Sequence, residues 1–457
     1  MLDDTIVAVA TPPGRGGIGV LRLSGPGAAE IARAVVRAPG ERLLAEANAA
    51  VVADLVHPDV PDEPLDRVVV TFFAGPRSYT GEDVVEISCH GSPVLLESAL
   101  EALLRAGARA ATPGEFTLRA FLNRRVDLTQ AEAVRDLVEA QTMHQARRAQ
   151  RQLRGELSRR LAPVKERLVT LIVHLESTVE FVEDDIEPES RAALVAELRE
   201  TAASLEALTS SYRLGRLVTE GLSVALIGPP NAGKSSVFNQ LVEAERAIVT
   251  PIPGTTRDLV SERVMLGGIP LRLVDTAGLR ETEDTVERIG VERTRSAIAD
   301  ADVVLVVLDA TATPREEAES LLVATDGLRR LVIANKTDLE PSPRWLGELG
   351  LEREPLAVSA LEGTGIDTLR SAILEISGGR IGLEQDGILV TNARHHALLL
   401  SATGHLESAS HALASGFSEE VALVGLHGAL GDLGELTGET ALDDILNRIF
   451  TTFCIGK

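Results

Sequence analysis

At 457 residues the chain is long for one core, so length predicts roughly three domains, and a hydrophobic content of 44% is enough to fill them. The formal net charge of −23 excludes a broadly basic nucleic-acid binder, so any RNA contact must use a local basic patch. Two cysteines, Cys89 and Cys454, exclude a disulfide framework, and the absence of a basic leader at Met1-Leu-Asp-Asp-Thr5 and of any membrane-length apolar run predicts a protein of the reducing cytoplasm.

Residues 1–118 alternate strand and helix signals and predict an α/β domain. Val- and Ile-rich runs predict strands over 5–11, 18–24, 66–73 and 83–89, and periodic apolar positions predict helices over 28–36 and 94–105. Gly14-Arg-Gly16-Gly-Ile-Gly19 fits the spacing of a dinucleotide-binding turn. That reading fails because Val20-Leu-Arg-Leu-Ser24 alternates as a strand where a helix is required, which leaves a glycine-rich turn. Residues 119–216 are helical, with a kink expected at Pro163 and a loop over Glu183–Pro188. Arg147, Arg148, Arg151, Arg154, Arg159, Arg160, Lys165 and Arg167 cluster here. A solvated helix face is the favoured reading, with an RNA-phosphate surface as the alternative.

Residues 217–379 carry four nucleotide motifs in order. The first, Gly228-Pro-Pro-Asn231-Ala-Gly233-Lys234-Ser235, follows an apolar run and opens a helix, as a phosphate-binding loop requires. Its backbone N–H groups and helix N-terminus form an anion cradle, Lys234 is placed for the β- and γ-phosphates, and Ser235 for Mg²⁺. Thr250-Pro251-Ile252-Pro253-Gly254-Thr255-Thr256 occupies the place of a first switch, with Thr256 as the second Mg²⁺ hydroxyl. A hairpin around Gly267-Gly268 leads to Asp275-Thr276-Ala277-Gly278, which faces metal and γ-phosphate. Asn335-Lys336-Thr337-Asp338 reads the base, and Ser359-Ala360 supports it. The Asp338 carboxylate can accept from guanine N1–H and the 2-amino group, whereas adenine offers neither donor, so GTP is preferred. The full GTP-binding set adds Ala232 and Ser236.

Leu279 stands where many GTPases carry a water-orienting Gln, so a carboxylate among Glu281, Glu283, Asp284 and Glu287 must act instead. Asn231 is either a loop residue with a local hydrogen bond or, with Thr250 and Thr255, a ligand for a monovalent cation. Residues 380–457 return to helix, so the nucleotide domain is expected as an insertion in a helical domain. Cys454 in the tail reads as a small buried hydrophobe or as a reactive thiol.

Several segments together resemble the tRNA uridine-5-carboxymethylaminomethyl modification GTPase (MnmE, or TrmE) family over the whole chain. They are Thr11-Pro-Pro-Gly-Arg-Gly-Gly17, Gly81-Glu-Asp83, Pro113-Gly-Glu-Phe116, Arg119-Ala-Phe-Leu-Asn123, Gly254-Thr-Thr-Arg-Asp258, Asp275-Thr-Ala-Gly-Leu-Arg280 and Cys454-Ile-Gly-Lys457. The resemblance implies an N-terminal α/β domain that dimerises and binds a reduced folate through Arg22, Glu82, Arg119 and Lys457. It also implies a helical domain with an inserted Ras-like P-loop G domain, and K⁺ held by Asn231, Thr250, Ile252 and Thr255. The catalytic residues it implies are Glu287 with Lys234, and Cys454 in the tail. The implied reaction adds a carboxymethylaminomethyl-type group to carbon 5 of the wobble uridine of certain tRNAs, together with a flavin-dependent MnmG-type partner in a heterotetramer. From the residues alone, Arg22 and Arg119 read as surface arginines or as clamps for a diacid. A ribosome-assembly GTPase without group transfer shares the nucleotide motifs but needs neither folate nor thiol. A membrane-remodelling GTPase lacks support from any apolar anchor.

Overall fold

The computed structural model describes residues 3–38, 46–180, 191–243, 261–266, 269–275, 301–339, 344–348, 350–351, 353–377, 390–440 and 443–456. These form two compact units. One is assembled from Met1–Glu139, Ala149–Thr201 and Gly404–Lys457, the other from Ala140–Arg148 and Ala202–Thr403.

The first unit opens with a seven-stranded, mostly antiparallel sheet. Its strands are β1 (Ile6–Val9), β2 (Gly19–Ser24), β3 (Val36–Arg37), β4 (Ala50–His57), β5 (Val60–Phe73), β6 (Val84–Cys89) and β7 (Arg109–Ala110), in the order β3-β4-β5-β6-β2-β1-β7. Alternation puts Leu21, Leu23, Val68, Val70, Val85 and Ile87 on one face. There Ile31, Ala32 and Val35 of helix Ala28–Val35 and Leu96, Ala99 and Leu103 of helix Pro93–Arg105 complete the core. Burying each such aliphatic side chain stabilises the fold by about 1.5–3 kcal/mol, more than any exposed ion pair nearby.

The glycine-rich segment is a turn into β2, as its alternation predicts. Gly16 N donates to Gly91 O at 3.0 Å, and a Cβ on Gly91 would lie 2.5 Å from Gly16 O. Two features escape sequence reading. No strand is predicted over β4, and β5 starts at Val60 rather than near Asp66. Pro61 and Pro64 fall in the first part of β5, where the β4–β5 ladder shifts register at Leu55/Val56 and Val56/His57.

The helices of this unit include Glu115–Leu122, Leu128–Glu139, Glu156–Glu180, Glu419–Thr437 and Asp443–Phe450. Helix Glu156–Glu180 runs through Pro163, the position of the expected kink, with the proline exposed. It packs on helix Glu419–Thr437. That helix closes on His405 through Gly425, where a Cβ would meet His405 O at 2.7 Å. Phe450 and Phe453 fill a cluster with Leu128, Val134 and Leu446, which anchors the C-terminal tail.

The second unit is built on a six-stranded sheet of β8 (Leu222–Ile227), β9 (Ser261–Leu266), β10 (Ile269–Asp275), β11 (Val303–Asp309), β12 (Arg330–Asn335) and β13 (Leu356–Ala357). The order is β13-β12-β11-β8-β10-β9, parallel except for the β9–β10 pair. The run Val303-Val-Leu-Val-Val-Leu-Asp309 is buried at every position, as a central strand covered on both faces requires. Val303, Leu305 and Val307 join Leu226 and Val237 on one face, and Val304, Val306 and Leu308 join Ile227, Ala318 and Leu322 on the other.

Among the described residues, no helix is long and apolar enough to cross a membrane.

Candidate functional site

The phosphate-loop sequence leaves β8 and turns into helix Lys234–Glu243. Its path needs positive φ at Gly228 (153°), Asn231 (62°) and Gly233 (90°). A Cβ on Gly228 would come within 2.0 Å of Val307 O, and one on Gly233 within 2.2 Å of Asn335 Nδ2. Glycine is therefore required at both ends of the loop by close approach as well as by backbone angle. Lys234 is buried, and its Nζ donates to Gly228 O at 2.8 Å and to Pro229 O at 2.7 Å. Asn231, Ser235 and Ser236 are exposed, so their side-chain oxygens stand at the open surface of the loop. Oxygen donors of this kind suit hard cations such as Mg²⁺ and K⁺.

Asn335, 2% exposed at the end of β12, ties three motifs together. Its Nδ2 donates to Ala232 O at 2.9 Å, and its Oδ1 accepts from Ala360 N at 3.0 Å. Lys336 takes a positive φ of 67° and donates from Nζ to Asp309 Oδ2 at 2.5 Å. Burial pushes the Asp309 carboxyl up, but Lys336 and Thr311 outweigh it and hold the group below the ordinary carboxylate range. Asp309 is a supporting residue that no motif signals. Asp338 is half-buried, and its Oδ1 is buried with no hydrogen-bond partner among the described residues. A buried carboxylate oxygen left in this way is costly unless a donor meets it, and the N1–H/2-amino edge of guanine is such a donor. Ser359 is buried, and its Oγ accepts from Glu362 N at 3.1 Å, shaping the turn that presents Ala360.

Asp275 ends β10, directly beside β8 in the sheet. Thr250, Pro251, Ile252, Pro253, Gly254, Thr255, Thr256, Thr276, Ala277, Gly278 and the carboxylates Glu281, Glu283, Asp284 and Glu287 lie outside the described residues, as does Lys457.

In the first unit, Arg22 meets the C-terminal tail. Arg22 pairs with Glu86 at 2.7 Å and lies 5.8 Å from the centroids of both Tyr79 and Phe116. Its NH1 donates to Gly456 O at 3.4 Å. Cys454, two residues earlier, is exposed, which does not match a buried hydrophobe; Cys89 is the buried thiol, pushed up to about 12 by burial and then by Asp66.

Arg119 differs from its expected role. It is 1% exposed and donates to Asp4 Oδ1 (2.6 Å), Glu115 Oε1 (3.1 Å) and Glu82 Oε2 (3.2 Å). A guanidinium so enclosed does not clamp a ligand carboxylate. It holds Glu82, which also accepts from Ser24 Oγ at 2.7 Å. The exposed cation beside Glu82 is Arg125, whose stem crosses Gly81: a Cβ there would meet Arg125 Cγ at 3.2 Å. Sequence reading misses it because only the turn after helix Glu115–Leu122 brings it over Gly81.

The family description "MnmE helical domain" matches residues 128–454, and "GTP-binding protein TrmE N-terminus" matches residues 5–125. The chain is 51% identical over 457 residues to a Koribacter versatilis protein named "tRNA modification GTPase MnmE", covering 100% of both chains. Proteins of the same name from Heliobacterium modesticaldum and Moorella thermoacetica are each 44% identical, again over 100% of both chains.

Proposed function

The chain belongs to the tRNA modification GTPase MnmE family, and from that premise we propose that it hydrolyses GTP to drive modification of carbon 5 of the wobble uridine in certain tRNAs. The observation that carries the nucleotide half of this reading is the junction made by Asn335. One buried side chain fixes the phosphate loop, the base-reading motif and Ala360 in mutual register, while Asp338 keeps a buried acceptor free for guanine.

The nucleotide part is taken to span 217–379, inserted between helical segments 119–216 and 380–457, behind an N-terminal domain of residues 1–118. Its support is an apolar cluster running from Leu217 to Ile373. Within it, the loop N–H groups and Lys234 bind the phosphates, Ser235 and Thr256 hold Mg²⁺, and Asn231 with Thr250, Ile252 and Thr255 holds K⁺. When bound, the two cations neutralise charge that develops on the β–γ bridge. Leu279 is apolar and cannot orient water, so a downstream carboxylate positions the attacking water, and the family resemblance assigns that role to Glu287.

The N-terminal domain takes a reduced folate, a carrier of one-carbon units, at Arg22, Glu82 and Lys457. Arg119 orients Glu82, and Arg125 offers an exposed cation to the ligand's carboxylates. Gly456, two residues after Cys454, bonds Arg22. The protein works as a homodimer with a flavin-dependent MnmG-type partner, in the cytoplasm. A ribosome-assembly role would leave the contact of Arg22 with the tail without a purpose.

The cation assignment is tested by turnover in matched K⁺ and Na⁺ salts. Hydrolysis is expected to be much faster in K⁺, and Asn231→Ala is expected to erase that difference while GDP binding stays near the parent value. Equal turnover of the parent chain in both salts would remove K⁺ from the mechanism.

A further inference from the structure

Eight cations lie between Arg147 and Arg167, and the structure sorts them. Lys165 pairs with Glu439 at 2.6 Å, and Arg167 with Glu200 at 3.5 Å and Glu197 at 3.8 Å. Arg148 and Arg151 have partners of their own, and Arg147 belongs to the other unit. Arg154, Arg159 and Arg160 are left. All three are exposed, and none has a carboxylate within ion-pair distance among the described residues. Glu156, the nearest acid in sequence, pairs with none of them. In a chain with 68 acidic and 45 basic residues, three neighbouring arginines without a carboxylate partner are unexpected.

These arginines flank a fixed corner. Helix Met143–Leu153 ends there, Gly155 turns the chain with φ 74°, and helix Glu156–Glu180 begins. Gln130 Nε2 donates to Leu153 O at 2.9 Å, Gln152 Nε2 donates to Thr129 O at 3.0 Å, and Thr129 Oγ1 meets Ser158 Oγ at 3.2 Å. The backbone that presents the guanidinium groups is thus pinned to helix Leu128–Glu139, so little backbone freedom remains to be given up on binding.

We infer that the Arg154–Arg159–Arg160 corner contacts the phosphate backbone of RNA and, given the reading above, of the substrate tRNA. The inference rests on that reading for the identity of the RNA. Guanidinium forks match phosphate oxygens bidentately. The corner shows no large exposed hydrophobic side chain between Arg151 and Glu166, whereas a membrane or a protein hot spot would call for one.

The test is a titration of the full chain with tRNA at several salt concentrations. For R154Q/R159Q/R160Q the affinity is expected to fall at least tenfold, and the slope of log K against log salt to become shallower by about 2–3, near one unit for each phosphate that is no longer neutralised. R154K/R159K/R160K is expected to keep the slope, with GTP turnover and the thermal midpoint unchanged in both variants. A glutamine triple variant that binds tRNA with the parent's affinity and slope overturns the assignment while leaving the tRNA reading intact. A parent chain that shows no saturable, salt-dependent tRNA binding overturns both.

Discussion

At the residue scale, Asp338 holds a buried carboxylate oxygen with no hydrogen-bond partner among the described residues, while Asn335 and Lys336 of the same motif are engaged with protein atoms. Within this motif Asp338 is therefore the proposed base reader, and Asp338→Asn replaces an acceptor with an amide donor. Measured affinities are expected to shift from GTP toward xanthosine triphosphate, whose 2-oxo group accepts that donor; GTP keeping its original margin would exclude Asp338 from base reading. The chemical step is assigned to Glu287, outside the described residues, against the nearer Glu281. Positioned acid–base groups contribute about 10²–10⁴-fold, so Glu287→Ala is expected to lower single-turnover rates by that order with Mg·GTP affinity within a few fold. Glu281→Ala should do far less, and the reverse ranking would make Glu287 structural. Motif spacing makes Asp338 legible. It does not reveal that Asn335 is a tie between Ala232 and Ala360, because that role exists only where the ends of β8 and β12 and the Ser359 turn converge. The role of Arg119 is hidden for a similar reason: Asp4, remote in sequence, covers it.

At the element scale, helix Glu115–Leu122 is fastened through its acidic start. Glu115 is a buried carboxyl that desolvation pushes up, yet Arg109, Thr112 and Arg119 together hold it at about 2. Asp4 is likewise held at about 2, first by its hydrogen bond to Arg109. A carboxyl whose folded value is depressed stabilises the fold fully above its ordinary value of 4.5 and loses that stabilisation as pH falls toward about 2. For Glu115, whose side chain is 10% exposed, the contribution is on the order of 3 kcal/mol. Hydrogen-exchange protection of this helix, corrected for intrinsic rates, is expected to drop steeply from pH 4.5 to 2. Glu115→Gln should already be less protected at neutral pH and nearly flat across that window, and an unchanged slope would place the acid sensitivity elsewhere. Several elements are legible: the glycine-rich turn and helix Pro93–Arg105 follow from period and composition. The pairing of β4 with the proline-bearing start of β5 is not, because the ladder shifts register there and no local signal announces it.

At the scale of the whole molecule, the chain returns to its first unit after building the second, since Gly404–Lys457 joins Met1–Glu139 and Ala149–Thr201. Motif order along the sequence makes the nucleotide part legible. The tail's destination is not, because Phe450, Phe453 and Gly456 carry no pattern that names Leu128, Val134 or Arg22 as their partners. Gly456, two residues after Cys454, meets Arg22 of the N-terminal sheet, while the nucleotide motifs lie in the other unit, so nucleotide turnover and modification of RNA are expected to be separable by mutation yet both required. The central claim is tested by mass spectrometry of anticodon nucleosides from cells whose copy of this chain is deleted and then restored. The wobble uridine is expected to be bare at carbon 5 in the deletion and modified again when the native chain is supplied. A wobble uridine fully modified in the deletion strain would contradict the account.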